Sequence, residues 1–281
     1  MKKIYLFLSV FSILLFSVSV FAQTKSLMKR TTYKTETAEF GQGGTISIVG
    51  APLGSISVEG WQKNEVEITA EIEVEGETEA DLSQLAAVTT FVVSEVTMGR
   101  VSVISVGTHD KEFMKRNAKK FPKKLLSMPF RIDYKIKVPI FSDLEITGNR
   151  GDLNLSSVEG AIKISFAETN ANLKLSGGMI LATFGKGDVT VELLTRSWRG
   201  RNADIQLASG NLNVLFPLNF NAEIDASVLR TGKIENALTT LKPRERSQFT
   251  DKLMYAKSGN GGVRFNFLLG DGILKLAGSG K

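Results

Sequence analysis

The sequence predicts an all-β protein: a β-solenoid or parallel β-helix-like repeat domain preceded by an N-terminal β-strand region. Three observations predict it. Apolar and polar residues alternate with period two along most of the chain, the pattern of extended backbone with one face buried. Glycines number 26 against 6 prolines, so turns are made by permissive backbone rather than by rigid rings. Between residues 144 and 193, apolar–polar–apolar triplets recur about every 7 to 11 residues, as in GDLNLSSVEGAIKISFAETNANLKLSGG. The triplets are short for a two-sheet sandwich, and each follows nearly the same small unit. An antiparallel β-sandwich is the alternative fold.

From the N-terminus, Met1-Lys2-Lys3 followed by the apolar run 4–21 and Val20-Phe21-Ala22 reads as a signal peptide over 1–22, cleaved before Gln23, with an uncleaved membrane anchor as the alternative. Residues 23–39 are expected to be a linker. The N-terminal β region spans 40–138. Its strands begin with 45–49 and 54–58, then a longer one in which Val66, Ile68, Ala70, Ile72 and Val74 alternate with mostly acidic residues. Residues 77–87 break the alternation and suit a short helix, and strands resume near 88–96 and 101–106. A basic insertion without strand character fills 107–128. Ile132, Tyr134, Ile136 and Val138 then form a strand ending at Pro139. The Gly-rich repeat domain occupies 139–281, with a polar excursion at 239–258. Each Gly or Asn permits a sharp turn, and each apolar pair points two side chains into a shared core.

The run from VPIFSDLEITGNRGDLNLSSVEGAIKIS through GNLNVLFPLNFNAEIDASVLRTGKIEN to SGNGGVRFNFLLGDGILKLAGSG resembles the bacterial putative-adhesin family of β-repeat domains of unknown function. The features that carry the resemblance are Val138-Pro139, the strands led by Gly151 and Gly160, the unit from Gly210 to Pro217, and the closing Gly261-Gly262-Val263 and Gly272-Ile273. It extends over about residues 40–281 and implies surface display in the cell envelope. The insertion at 107–128 departs from the family pattern.

No cysteine is present, which excludes disulfides, a thiol nucleophile and thiolate metal sites. His109 is the sole histidine, so histidine-rich metal sites are excluded and a Ser-His-Asp triad would have to use this loop residue. GKGD at 185–188 lacks the Lys-Ser/Thr pair and the following helix of a phosphate loop. Asp152, Asp188, Asp204 and Asp271 lie just before strands, where a turn aspartate caps its own backbone. Convergence of Asp152, Asp188 and Asp204 in one groove would favour a polysaccharide-degrading β-helix enzyme.

Charge is more informative. Residues 59–81 hold nine acids and one base, and 111–137 hold ten bases and two acids. Were the Glu67–Glu75 strand to neighbour Arg131–Lys137, cross-strand ion pairs would absorb part of this. The segment KEFMKRNAKKFPKK is left over. Lys115, Arg116, Lys119, Lys120, Lys123 and Lys124, interleaved with Phe113, Met114 and Phe121, are the candidate contacts to an anionic envelope surface, either polymer or membrane. A second candidate is Trp198 with Arg196, Arg199 and Arg201, where an indole on a turn can stack on a sugar ring or fold back over the core.

The expectation is an exported, non-enzymatic envelope protein of the periplasm or cell surface, binding a glycan, an anionic polymer or a protein, with no cofactor and no specific nucleic acid. An envelope scaffold or stress-signalling partner is the alternative, and the β-helix enzyme is the second alternative. Nothing in the sequence sets an oligomeric state.

Overall fold

The computed structural model describes residues 27–97, 99–244 and 246–279, and the expected signal peptide at 1–22 lies outside them. The strands β1 (Met28–Glu39), β2 (Thr45–Val49), β3 (Ile56–Trp61) and β4 (Glu65–Gly76) lead into helix α1 (Glu79–Val88). Next come β5 (Thr90–Thr97), β6 (Arg100–Val106), helix α2 (Lys111–Asn117), a 3₁₀ turn at Lys123–Ser127 and β7 (Phe130–Pro139). The remainder is strand and turn: β8 (Asp143–Arg150), β9 (Leu153–Ser156), β10 (Ala161–Glu168), β11 (Ala171–Leu175), β12 (Gly177–Leu193) and β13 (Arg199–Phe216). It ends with β14 (Ala222–Val228), β15 (Gly232–Asn236), β16 (Lys242–Pro243), β17 (Leu253–Ser258) and β18 (Arg264–Gly278). The protein is predominantly β.

Two parallel ladders organise these strands. One runs β6–β2–β8–β10–β12–β13–β18–β14. The other runs β7–β3–β9–β11–β12–β13–β18–β15. A sandwich would have required antiparallel neighbours in these positions. Successive rungs are offset by 18 residues where Asn170 follows Asp152 and Asp188 follows Asn170, and by 23 where Asn211 follows Asp188. The triplets recur at about half that spacing because successive ones alternate between the two ladders. β12, β13 and β18 are long enough to serve both ladders, and Gly187, Gly210 and Gly272 are mutual register partners within them. At this column the chain turns from one ladder into the other, so the sheet nearly closes around a single apolar core.

Register places like on like inside that core. Ile48, Ile146, Ile164, Ala182, Ile205, Phe267 and Ala226 form one buried row across seven strands. Leu153, Ala171, Val189, Leu212 and Leu274 form another in the second ladder. An apolar core must be covered at both ends of the ladders. At the N-terminal end α1, begun by the Thr78 hydroxyl accepting from the Asp81 N–H at 3.1 Å, buries Leu82 and Leu85, and the insertion contributes Met114 and Leu125. At the other end Leu241 and Met254, from the excursion that includes β17, join the same core.

Two expectations are corrected. Residues 28–39, read as part of a linker, form β1, antiparallel to β4 over its whole length. Its sequence MKRTTYKTETAE has no apolar face to betray it, because the strand is held by backbone pairing and polar cross-strand contacts: Lys29 to Glu73 and Glu75 at 2.8 and 2.9 Å, Arg30 to Glu79, and Thr35 to Thr69 at 3.3 Å. The boundary drawn at 139 falls within continuous sheet, since β2 pairs with β8 and β3 with β9.

Tyr134 is a large polar side chain deep in the core, its hydroxyl 2.7 Å from Ser105 Oγ and its ring edge-on to Phe91. Burial raises its pKa well above the usual tyrosine range. Protonated Tyr134 therefore contributes stability that is full below about pH 10, the unfolded value, and falls as pH rises toward the folded one. Tyr134→Phe should cost about 1–3 kcal/mol at pH 7, because Ser105 is left without its partner. Between pH 9 and 11 it should lose less stability than the parent. Urea midpoints across that range check this, and equal slopes would refute it.

Candidate binding surfaces

The insertion is a folded element. Asp110 caps α2 through its carboxylate, which accepts the Phe113 N–H at 2.9 Å, and Met114 turns inward. After Pro122 the 3₁₀ turn buries Leu125, while Lys124 reaches across to Asp81 of α1 at 2.9 Å. That contact and the Thr78 cap hold the Asp81 carboxyl below its ordinary pKa. Segment 111–124 is therefore not wholly unpaired, as its charge pattern suggested: Lys124 pairs with Asp81, and Lys115 pairs with Glu112 at 2.9 Å. Arg116, Lys119, Lys120 and Lys123 are exposed, with no ion-pair partner among the described residues, and Leu126 stands exposed beside them. The six bases proposed from sequence thus divide into two that hold the element together and four that face solvent.

The acidic strand β4 does neighbour β7, as the charge pattern suggested, and Lys137 meets Glu67 at 2.9 Å. Lys135, however, lies opposite Thr69 and Ser57 rather than an acid. Glu73 and Glu75 are taken by Lys29 of β1, a strand the sequence reading did not contain. A cleft of 370 Å³ at the glycine corner is lined by Lys29, Glu73, Glu75, Arg131, Arg150 and Asp152, among others. Most of these charges are already engaged, Arg131 with Asp133 and Arg150 with Glu168 besides the Lys29 pairs. The ion pairs leave little there for a ligand.

Trp198 folds back over the core. Its Nε1–H donates to the Gly178 carbonyl at 3.0 Å and its ring meets Phe265 edge-on at a centroid distance of 5.2 Å. A half-buried, hydrogen-bonded indole is a packing group, so the proposed sugar-stacking role is not what this geometry favours. Around it Arg196, Arg199 and Arg201 are exposed, and Arg199 pairs with Glu159 at 3.0 Å. Trp61 likewise packs at a strand end, donating to the Glu65 carbonyl at 2.8 Å with Lys63 above its ring.

The four turn aspartates do not converge. Asp152 and Asp188 share a column with Asn170 between them, and Asn170 hydrogen-bonds both: its Nδ2 donates to Asp152 and its Oδ1 accepts the Asp188 N–H, each at 3.4 Å. Asn211 continues the column, donating to Asp188 at 2.9 Å. Asp204 lies in the other ladder, opposite Leu181 and Asn266. Asp271 accepts from Arg230 at 2.6 Å and from the Thr231 hydroxyl at 2.6 Å, and these contacts hold its carboxyl far below the ordinary range. Asp152, Asp188 and Asp271 thus fix neighbouring strands or turns, whereas Asp204, inside β13, accepts from Gln206 of its own strand at 3.2 Å. His109 rests one ring face on Phe130 at 5.3 Å, and the loss of water lowers its pKa.

One surface went unnoticed in the sequence. Val92, Ile104 and Val49 are in register across β5, β6 and β2, and all three are exposed, at 45%, 38% and 39%. The signal was present in Val103-Ile104, two adjacent apolar residues of one strand, of which one must face away from the core.

No protein-family model matches this chain, and no curated protein matches it. Among solved structures, it is similar to a "putative cell adhesion protein" from Clostridium sporogenes at 11% identity, covering 89% of this chain and 100% of that one, with a TM-score of 0.42. A "putative adhesin" from Bacteroides fragilis aligns at 10% identity over 88% of this chain and 97% of that one, with a TM-score of 0.23. A "putative lipid binding protein" from Parabacteroides distasonis aligns at 10% identity over 89% and 97%, with a TM-score of 0.32. The superpositions are loose, and the functional reading rests on this chain's own residues.

Proposed function

We propose that the chain is an exported, non-catalytic binding protein of the cell envelope, of adhesin type, whose two ladders form a solenoid with coils of about 18 residues. The ligand is an anionic envelope polymer, and the docking element is the capped basic insertion. One observation carries this reading: Arg116, Lys119, Lys120 and Lys123 are exposed and unpaired among the described residues, on an element anchored by buried Met114 and Leu125. A rigid base spares the ligand the entropy of ordering a loop. The catalytic alternative finds no support in the aspartates: Asp152, Asp188 and Asp271 accept from Asn170, Asn211 and Thr231, and Asp204 lies in the other ladder.

Binding of the purified protein to envelope fractions across a salt series tests it. The four exposed bases would be changed to Gln, leaving Lys115 and Lys124 in place to preserve the element. Each base near an anionic surface contributes about 1 kcal/mol, so removing four should cost on the order of a thousandfold at low salt. Parent binding should fall steeply as the Debye length shrinks from about 10 Å at 0.1 M. Binding insensitive to both salt and substitution would overturn the assignment to the insertion.

The exposed Val92–Ile104–Val49 row supports a second reading, a protein partner seated on β5, β6 and β2. Ile104→Lys would abolish that association while leaving polymer binding unchanged.

A further inference from the structure

We propose that the cleft between β16, β17 and the turn joining β13 to β14 binds an oxyanion, a carboxylate or phosphate, carried on a polyhydroxyl chain. This cleft of 680 Å³ is lined by Asn219, Asn221, Thr240, Lys242, Lys257 and Gly259, among others. Its distinguishing feature is an electrostatic conflict. Lys242 and Lys257 are direct antiparallel partners in a ladder only two residues long. Cα atoms so placed are about 4.5–5.5 Å apart, and like charges in that relation destabilise the pairing.

The neighbouring acids do not relieve the conflict. Glu223 lies opposite Lys257 on its other side, but its carboxylate accepts from Arg244 at 2.9 Å and lies 3.4 Å from Arg264. Asp225 is held by the second arm of Arg244 at 2.7 Å. Two guanidinium groups thus neutralise the two acids, and both lysines remain without an ion-pair partner among the described residues.

The walls of the cleft suit a hydroxylated anion. Asn221 Oδ1 is occupied by the Asn260 N–H at 3.0 Å, which leaves its amide NH₂ as a donor. Asn219 and Thr240 add further polar groups. The Lys257 stem lies along Gly261, where a Cβ would come within 3.0 Å of Cε, so the absence of a side chain at 261 gives this lysine its path. An oxyanion between the two ammonium groups would turn the repulsion into two charge-assisted hydrogen bonds.

The ligand class agrees with the proposed envelope function, but this cleft and the insertion are separate elements and can be tested separately. Isothermal titration would use three probes: a galacturonate trimer, the neutral galactose trimer and inorganic phosphate. The proteins would be the parent, Lys242→Gln/Lys257→Gln, and the four-base insertion variant. The parent should bind the acidic trimer or phosphate and not the neutral trimer. The double lysine variant should lose at least about tenfold in affinity. Its ligand-free melting temperature should hold or rise, because the repulsion is gone; this also shows that it folds. The insertion variant should bind as the parent does. A preference for phosphate over the acidic trimer, or the reverse, identifies the source of the anion within the proposal. Undiminished binding in the double variant, equal binding of the neutral trimer, no binding of either anion, or loss confined to the insertion variant would each overturn it. Failure of the envelope-binding test with anion binding retained would refute the function assigned to the insertion and leave this site standing.

Discussion

Gly210→Ala is expected to destabilise the protein by more than about 4 kcal/mol, a loss reserved for sites where a native contact becomes impossible. A Cβ there would lie 1.8 Å from the carbonyl oxygen and 2.8 Å from the carbonyl carbon of Gly187, on the rung below. Neither atom can rotate away, because both belong to the parallel ladder. The backbone at Gly210 also has φ near +133°, in the region L side chains avoid. Gly262→Ala separates the two causes. Its φ is +126°, yet the nearest atom to its Cβ is the Asn221 carbonyl oxygen at 3.9 Å. That substitution should cost only the strain, about 1–3 kcal/mol. Denaturant unfolding of both variants decides it. Equal losses would mean that rung-on-rung contact is not what demands glycine.

The column that Gly210 occupies was half legible in the sequence. The period-two alternation and the glycine punctuation announce short strands and sharp turns, and both are found. The partner of each strand is not written locally. Leu153 gives no sign that its neighbour will be Ala171 rather than Ile162, because either choice buries an apolar residue on an apolar residue. Glycine also misled where it occurs within strands. The apolar alternation at 179–183 and again at 189–193, with glycines between, suggests two strands, whereas β12 runs through Gly185 and Gly187 with its ladder pairing kept. An L side chain would have broken the strand there; glycine lets it bend.

The surfaces were less legible than the fold. β1 escaped notice because polar residues occupy both its faces, and only the acidic excess on β4 hinted that a basic strand was wanted beside it. The division of the basic insertion into pairing and free lysines depends on α1, whose Asp81 is distant in sequence but adjacent in space. Asp110 at the start of α2 was a readable cap, standing three residues before Phe113 and ahead of a run of good helix formers. The lysine pair in the C-terminal cleft could not be anticipated. Lys242 and Lys257 meet only because the polar excursion turns back on itself to pair β16 with β17.

Phe267→Ala is the second large expected loss, about 3–5 kcal/mol. The ring is fully buried, and it lies edge-on to Phe216 and stacked with Phe265 at centroid distances of 6.2 and 6.3 Å. Its in-register neighbours are Ile205 on one side and Ala226 on the other. A small residue next to the truncated site has nothing to move into the vacated space, so the cavity term should persist rather than relax. Phe267→Leu, which keeps most of the volume, should cost under about 1.5 kcal/mol. Phe141→Ala, with a ring that is 49% exposed, should change stability by no more than about 0.5 kcal/mol. A loss below about 1 kcal/mol in Phe267→Ala would show that the buried row is not close-packed around this ring. The same variant bears on function. β14 pairs with both β18, which carries Phe267, and β17, which carries Lys257. Should the core set only the stability of the rung, Phe267→Ala will retain anion affinity in its folded fraction while melting earlier. Affinity lost before unfolding begins would instead mean that the cleft depends on the packing beneath it, and that its two lysines are held together by the aromatic row rather than by the ladder alone.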